Sequence, residues 1–248
     1  MSTSGRYIEE SELRAYFKCS SFHNFGGLVD PGVGLKIVQD AIEIVTVASI
    51  RGIDKNPLKE IHAALLKSLT IHGQASNLLE PQIEKYLSSC FLWLQDFFEI
   101  FPFSTYVPIF GPIQPTMNVG KTSIRLHISG LYRTEKNGTI HALSFSPYKT
   151  KHSIANDPLS ILKIKLLAPF VSKHFPTNRP QVKLHTFYYG KNHNMGYVTL
   201  TSNSIPDSTL ASVESQIINM QNGFHYPVIP CLHSCKYKKI CLPGDTNE

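Results

Sequence analysis

Long apolar runs are missing from this 248-residue chain: none reaches the roughly 18–20 residues of a membrane span, which excludes a transmembrane helix. The opening residues, MSTSGRYIEES, have neither the basic start nor the apolar stretch of a secretory leader, so the chain is expected to be intracellular, in the cytoplasm or a similarly reducing compartment. Cysteine is scarce, with 5 in all. In a reducing compartment these are expected to be free or metal-bound, although spacing alone does not exclude a disulfide. No internal repeat or low-complexity segment interrupts the chain. Acids are scarce in one half only. Residues 121–248 hold 6 Asp+Glu against 15 Lys+Arg, a net of +9, whereas residues 1–120 hold 12 against 9, a net of −3. A basic half suits a polyanionic partner such as nucleic acid, and equally an ordinary solvated basic surface.

Hydrophobic residues make up 42% of the chain, enough to bury a sizeable core in one domain. The few cysteines are unevenly placed. Cys231, Cys235 and Cys241 stand close together in PCLHSCKYKKIC near the C-terminus, and Cys19 ends an aromatic-rich helix near the N-terminus. Thiolates from the two ends of a chain can share one metal or cluster and so clasp the fold. Sulfur donors suit an iron–sulfur cluster and tetrahedral zinc alike. For zinc, His225 or His233 could complete a three-cysteine, one-histidine set without Cys19. Cys90, in CFLWL, reads as a buried core thiol.

Periodicity predicts helices first and a sheet later. Apolar residues at three- and four-residue spacing predict helices over Ser11–Lys18, Leu35–Ile50 and Pro57–Ile71, and from Pro81 to about Ile100. A proline-rich connection is expected from Pro102 to Pro115. Alternation of Ile124, Leu126 and Ile128 with Arg125 and His127 predicts a strand over Ser123–Ser129 with one face buried. Asn137-Gly138 is a type I′ hairpin signal leading to a second strand over Thr139–Phe145. A helix over Pro158–His174, strands near Val182–Tyr189 and Tyr197–Thr201, and a helix from Asp207 to about Gln221 follow. The order implies an α/β fold with a mixed central sheet flanked by helices. It is expected as a single domain over residues 1–248: a mainly helical part to residue 104, a sheet core over 105–222, and a cysteine tail over 223–248 joined to Cys19.

These segments resemble, in order and over nearly the whole chain, RecB-like PD-(D/E)XK nucleases that carry an iron–sulfur cluster. That family includes CRISPR-associated exonucleases and the nuclease domain of the AddB helicase-nuclease subunit. The resemblance is carried by LRAYFKC at Cys19, the helix holding His62, the GLYR and LSFSPYK strands, and the YPVIPCLHSCKYKKIC tail. It implies a 4Fe-4S cluster on Cys19, Cys231, Cys235 and Cys241, with zinc as the alternative. The tail's Cys-x3-Cys-x5-Cys departs by one residue from the family's usual Cys-x2-Cys-x5-Cys.

The resemblance also implies where catalytic groups belong. Phosphodiester hydrolysis in such enzymes needs carboxylates that hold divalent metal, with a lysine near the attacking water. His62 matches the family's helix histidine. In Gly130-Leu131-Tyr132-Arg133, however, the expected acid is Arg133, and in Leu143-Ser144-Phe145-Ser146 the expected acid and lysine are Ser144 and Ser146. Reading the second motif at Lys149 puts Pro147 where an acid is needed. A cation repels a divalent ion, and hydroxyls do not replace two carboxylates, so no catalytic magnesium is expected. Migrated acids at Glu135 or Asp157 are the alternative, although Asp157 before Pro158 reads as a helix cap.

The expectation is therefore a catalytically inactive, cluster-stabilised nuclease-like protein that binds nucleic acid, with DNA the expected partner ahead of RNA, or that positions a partner enzyme. It would serve beside a protein partner such as a helicase or nuclease subunit, with no membrane role. Arg125, Arg133, Lys149, Lys151, Lys236, Lys238 and Lys239 are the candidate phosphate contacts, and Tyr132, Tyr148 and Tyr237 candidate stacking residues. An active metal-dependent nuclease with displaced acids, and a purely structural protein–protein module, are the competing expectations.

Overall fold

The computed structural model describes residues 7–18, 33–52, 63, 67, 80–134, 138–146, 157–175, 181–189 and 195–222. They form two compact units. The smaller combines β1 (Ile8–Glu9), α1 (Glu10–Lys18), β3 (Thr116–Val119), β4 (Thr122–Arg125) and α5 (Asp207–Gln221). β1 runs parallel to β4, and β3 and β4 form an antiparallel hairpin paired Val119 to Thr122. Its tight turn begins at Gly120, whose φ of 60° is a conformation that costs glycine nothing.

The larger unit holds α2 (Val33–Ile50), α3 (Glu80–Ile100), β2 (Tyr106–Phe110), β5 (Gly130–Thr134), β6 (Ile140–Ser146), α4 (Pro158–His174), β7 (Val182–Tyr189) and β8 (Met195–Thr201), with a 3-10 turn at Ser202–Ser204. Ala63 and Lys67 are also helical. The strands form one sheet in the order β2-β5-β6-β7-β8. All neighbours are antiparallel except β6 and β7, which are parallel and joined through α4. A parallel pair needs such a crossover, and a helix is its usual form.

The sheet is buried on both faces by different partners. On one face α2 contributes Leu35, Val38, Ala41, Ile42 and Val45, and α3 contributes Cys90, Trp93, Leu94 and Phe97, against Tyr132, Leu143, Phe145 and Phe187. The spacing of those helical residues is that of one helix face. On the other face α4 sets Ile164, Leu167 and Val171 against Leu131, Ile140, Ala142, Val182, Leu184, Val198 and Leu200. Every residue of β6 is buried. A strand covered twice reads as a continuous run in the sequence.

The helices over Pro158–His174 and Asp207–Gln221 and the strand over Val182–Tyr189 have the expected bounds. The proline-rich connection differs, for residues 106–110 are β2. Pro108 is tolerated there because β2 is an edge strand and is bulged between Pro108 and Phe110. β3 was likewise not signalled. The strand expected over Ser123–Ser129 is broken: β4 ends at Arg125, and Ile128 then bridges Ile113 in the other unit's chain path. The hairpin between β5 and β6 is longer than a two-residue turn, since pairing ends at Arg133 and Ile140 and Thr134 donates its N–H to the Thr139 carbonyl. Gly138 still has the positive φ, 61°, that its sequence context requires. Apart from Ala63 and Lys67, the helix expected over Pro57–Ile71 lies outside the described residues.

Candidate functional site

The beginning of α4 is fixed by its cap. Asp157 has an extended backbone, and its Oδ2 accepts from the Ser160 N–H at 3.2 Å and from the Ser160 hydroxyl at 3.0 Å. Pro158 follows at the first helical position, where its missing N–H costs nothing. Asp157 thus serves as the expected cap. The residues from Leu159 to Ile164 are all buried, so this stretch of the helix has no solvent face to which Lys163 could turn.

Lys163 is 3% exposed and Ser144 2% exposed, and the Lys163 ammonium donates to the Ser144 Oγ at 2.7 Å. Ser144 is paired with Thr186 across the parallel β6–β7 ladder. Thr186 is 1% exposed, and its Oγ1 is buried without a hydrogen-bond partner. Ser146, two residues on from Ser144, is also buried and paired with Tyr188. The α4 face of the sheet is therefore apolar along Ile140, Ala142, Val182 and Leu184, and polar along Ser144, Ser146 and Thr186. This polar stretch lies at the C-terminal ends of two parallel strands, the end at which open α/β sheets place ligands. A lysine–serine pair can generate a nucleophile, but a hydroxyl this enclosed meets no substrate.

Arg133 is set apart from the two serines. It is exposed on β5 and pairs with Ile140, four residues along β6 from Ser144, or about 13 Å at a strand's rise. Arg125 is on β4 in the smaller unit. Its Nη1 lies 3.2 Å from Glu9 Oε1, and its guanidinium sits 4.3 Å over the Tyr7 ring. Tyr132 is fully buried, with its hydroxyl on Thr46 Oγ1, so base stacking, offered for it from sequence, is closed to it; a strand-end core aromatic is what it is.

Neither a family model nor a curated protein matches the chain.

Among the described residues no group of three or more His, Cys, Asp and Glu is placed to hold a metal ion. His62, Cys19, Cys231, Cys235, Cys241, Lys149, Lys151, Lys236, Lys238 and Lys239 lie outside the described residues, as do Glu135, Tyr148, His225, His233 and Tyr237. Cys90 is buried and in no disulfide, and desolvation raises its thiol to about 12, as expected of a core cysteine. No helix among the described residues is long and apolar enough to cross a membrane.

A second polar group sits on the other face of the sheet. His141 Nδ1 and His185 Nε2 share one hydrogen bond of 2.8 Å, and Thr199 Oγ1 is 3.0 Å from His185 Nδ1. The two imidazoles stack at 5.0 Å, beside Phe101 and Tyr106. Burial, with Lys183 adding repulsion, lowers His141 to about 4. Burial, then His141 and Lys183, lower His185 to about 3. Values this low leave both rings neutral at pH 7, and the hydrogen bond between them has one ring nitrogen donating and the other accepting.

A groove of about 460 Å³ runs along α2, lined by Asp40, Glu43, Ile44, Val47, Arg51 and Pro112. Its charges are of both signs, which does not favour a polyanion. Glu43 is already engaged by His127 Nε2 at 2.7 Å.

Lys163 and the His141–His185 pair were not singled out by sequence reasoning. A signal existed for the lysine, since SILKIKLL sets one inside a segment apolar on every side of a helix. The histidines are 44 residues apart in sequence, and only the β6–β7 register brings them together.

Proposed function

We propose that this protein is a catalytically inactive relative of the iron–sulfur RecB-like nucleases, which binds nucleic acid, with DNA the first candidate ahead of RNA, or serves as a subunit of a nucleic-acid-processing complex, or both. The observation that carries this reading is the state of Ser144. At the strand position where the resemblance requires a carboxylate there is a hydroxyl, enclosed under α4 and hydrogen-bonded by a lysine. β5 and β6, which would bear the two acidic motifs, are neighbours in the sheet, as that resemblance requires, while Arg133 adds an exposed cation to one of them. The +9 balance of residues 121–248 supports a polyanionic partner, because phosphate contacts need only cations and hydrogen-bond donors.

Four cysteines would hold the proposed 4Fe-4S cluster, and a thiolate set fits that group or zinc by donor chemistry. The cluster's contribution would be to tie the two ends of the chain, coupling folding to its binding. Binding of fluorescent single- and double-stranded DNA, measured across a salt series, tests the main reading. Affinity that falls steeply with salt is expected, and absence of binding at low salt would refute the nucleic-acid reading. Incubation of the same substrates with Mg²⁺ or Mn²⁺ is expected to leave them intact. Cleavage that His62→Ala abolishes would establish an active enzyme instead.

A further inference from the structure

The two edges of the larger unit's sheet are built differently. At one edge β2 carries Pro108 and a bulge between Pro108 and Phe110, two devices that keep a further strand from adding. At the other edge β8 has neither. Its sequence, MGYVTLT, holds no proline and no charge, and it pairs with β7 without a shift from Met195 opposite Tyr189 to Thr201 opposite Lys183. Gly196 does not loosen it, because the ring of Tyr188, its partner in β7, fills the place where a Cβ would stand.

Hydrogen bonds at the ends of β8 fix which of its backbone groups face outward. The Met195 N–H donates to Asp96 Oδ2 at 3.4 Å, and the Thr201 N–H donates to Ser204 Oγ at 3.1 Å. The Ser204 hydroxyl in turn donates to the Thr201 carbonyl at 2.7 Å. Thr201 therefore turns its backbone groups away from β7, and by the alternation of an antiparallel ladder Met195, Tyr197 and Thr199 do the same. The two ends are capped, but beside Tyr197 and Thr199 no strand lies among the described residues. Both residues are exposed, Tyr197 at 44% even though its ring stacks on Phe187 at 5.6 Å.

We propose that β8 is a self-association edge, on which β8 of a second copy of this chain adds antiparallel about a two-fold axis at Val198. With the axis there, Tyr197 of each copy faces Thr199 of the other, and every uncapped N–H finds a carbonyl of the facing strand. An axis at Tyr197 would require the Met195 N–H that Asp96 holds, and one at Thr199 the Thr201 N–H that Ser204 holds. The caps stand at equal distances along the strand from Val198, and that symmetry favours a second copy over a foreign strand. Tyr197 against Thr199 is an aromatic–β-branched pair of the kind that stabilises neighbouring strands, and no like charges meet. This interface is independent of the nucleic-acid reading above.

Sedimentation equilibrium of the full chain from about 1 μM to about 1 mM, the span of moderate to weak interfaces, tests this. The mass is expected to rise from one chain to two. Thr199→Pro removes an outward N–H without touching the β7 ladder and is expected to weaken the dimer at least about tenfold. Thr199→Val keeps that N–H and is expected to dimerise within about twofold of the unmodified chain. A monomer at every concentration would overturn the proposal and leave the edge to an extended segment of another protein. A dimer that Thr199→Pro leaves unchanged, or that Thr199→Val weakens as much, would also overturn it by placing the interface elsewhere.

Val198→Cys serves if Thr199→Pro does not fold. Across the axis the two thiols belong to a non-hydrogen-bonded pair with Cα atoms about 4.5 Å apart, within disulfide reach. Mild oxidation is expected to link the copies at least about tenfold faster than in the unmodified chain, whose own cysteines set the background. Equal rates would count decisively against pairing at β8.

Discussion

Acidification should destabilise the larger unit through two side chains, and the amount follows from their burial. His141 and His185 have folded-state values of about 4 and about 3, against an ordinary 6.5. Because the folded values are depressed, the unfolded chain takes up protons that the native state refuses. Stability from this pair is complete above about pH 6.5 and is lost as pH falls toward about 3. Each pH unit below 6.5 costs about 1.4 kcal/mol per histidine. At pH 5 the cost is about 2 kcal/mol each and about 4 kcal/mol for the pair, a large share of the ~5–15 kcal/mol that holds a typical domain. At a urea m-value of about 3 kcal/mol/M this moves the unfolding midpoint down by about 1.3 M.

Trp93, the chain's only tryptophan, lies in the α2–α3 core, so its fluorescence follows the unit in question. Urea titrations between pH 7.5 and 5.0 should show close to two extra protons bound per molecule on unfolding at the acid end. The double variant His141→Gln/His185→Gln keeps polar atoms at both places and leaves the other nine of eleven histidines unchanged. Its pH dependence should be flatter by that amount, whatever its stability at pH 7.5. Parallel curves for the two proteins would refute the reasoning, for they would mean that the rings are protonated as readily inside as out.

Asp157→Ala removes the cap of α4 and should cost about 1 kcal/mol in urea unfolding, with Asp157→Asn recovering most of it. Phe101→Ala, at the meeting point of Phe97, Tyr106, Tyr132 and Phe187, should cost about 3–5 kcal/mol and broaden or abolish the thermal transition. Tyr132→Phe leaves Thr46 with its bond to the Ile42 carbonyl, so a loss of only about 1 kcal/mol is expected by the same titration. Protein purified without oxygen should be brown with broad absorption near about 400 nm, and Cys235→Ala colourless and less heat-stable; zinc by metal analysis, or an unchanged melting curve, would count against an iron–sulfur clasp.

How much of this was legible depended on the range of the interaction. Local patterns carried α4, β7 and α5, because a cap before a proline, a run of β-branched and aromatic residues, and a three-to-four spacing act within a few neighbours. β2 was hidden by Pro108, which is admissible only because that strand lies at an edge, a property of the assembled sheet. Alternation over Ser123–Ser129 reads as one strand, yet the chain leaves β4 after Arg125 and pairs next at Ile128 with Ile113. Nothing local distinguishes those two fates.

The same division runs through the candidate site. The sequence by itself determined that Arg133, Ser144 and Ser146 stand where the resemblance asks for two acids and a lysine, since residue identity at a motif position needs no folding to be read. It determined also that thiols cluster toward one end and basic charge in one half. The tertiary structure decided that Ser144 is enclosed, that Lys163 is its partner from 19 residues away, and that Arg133 pairs well away from both. It alone decided that His141 meets His185. The reason is physical: a side chain's charge state and accessibility are set by what the rest of the chain brings within a few ångströms, and that is fixed by strand register and helix packing.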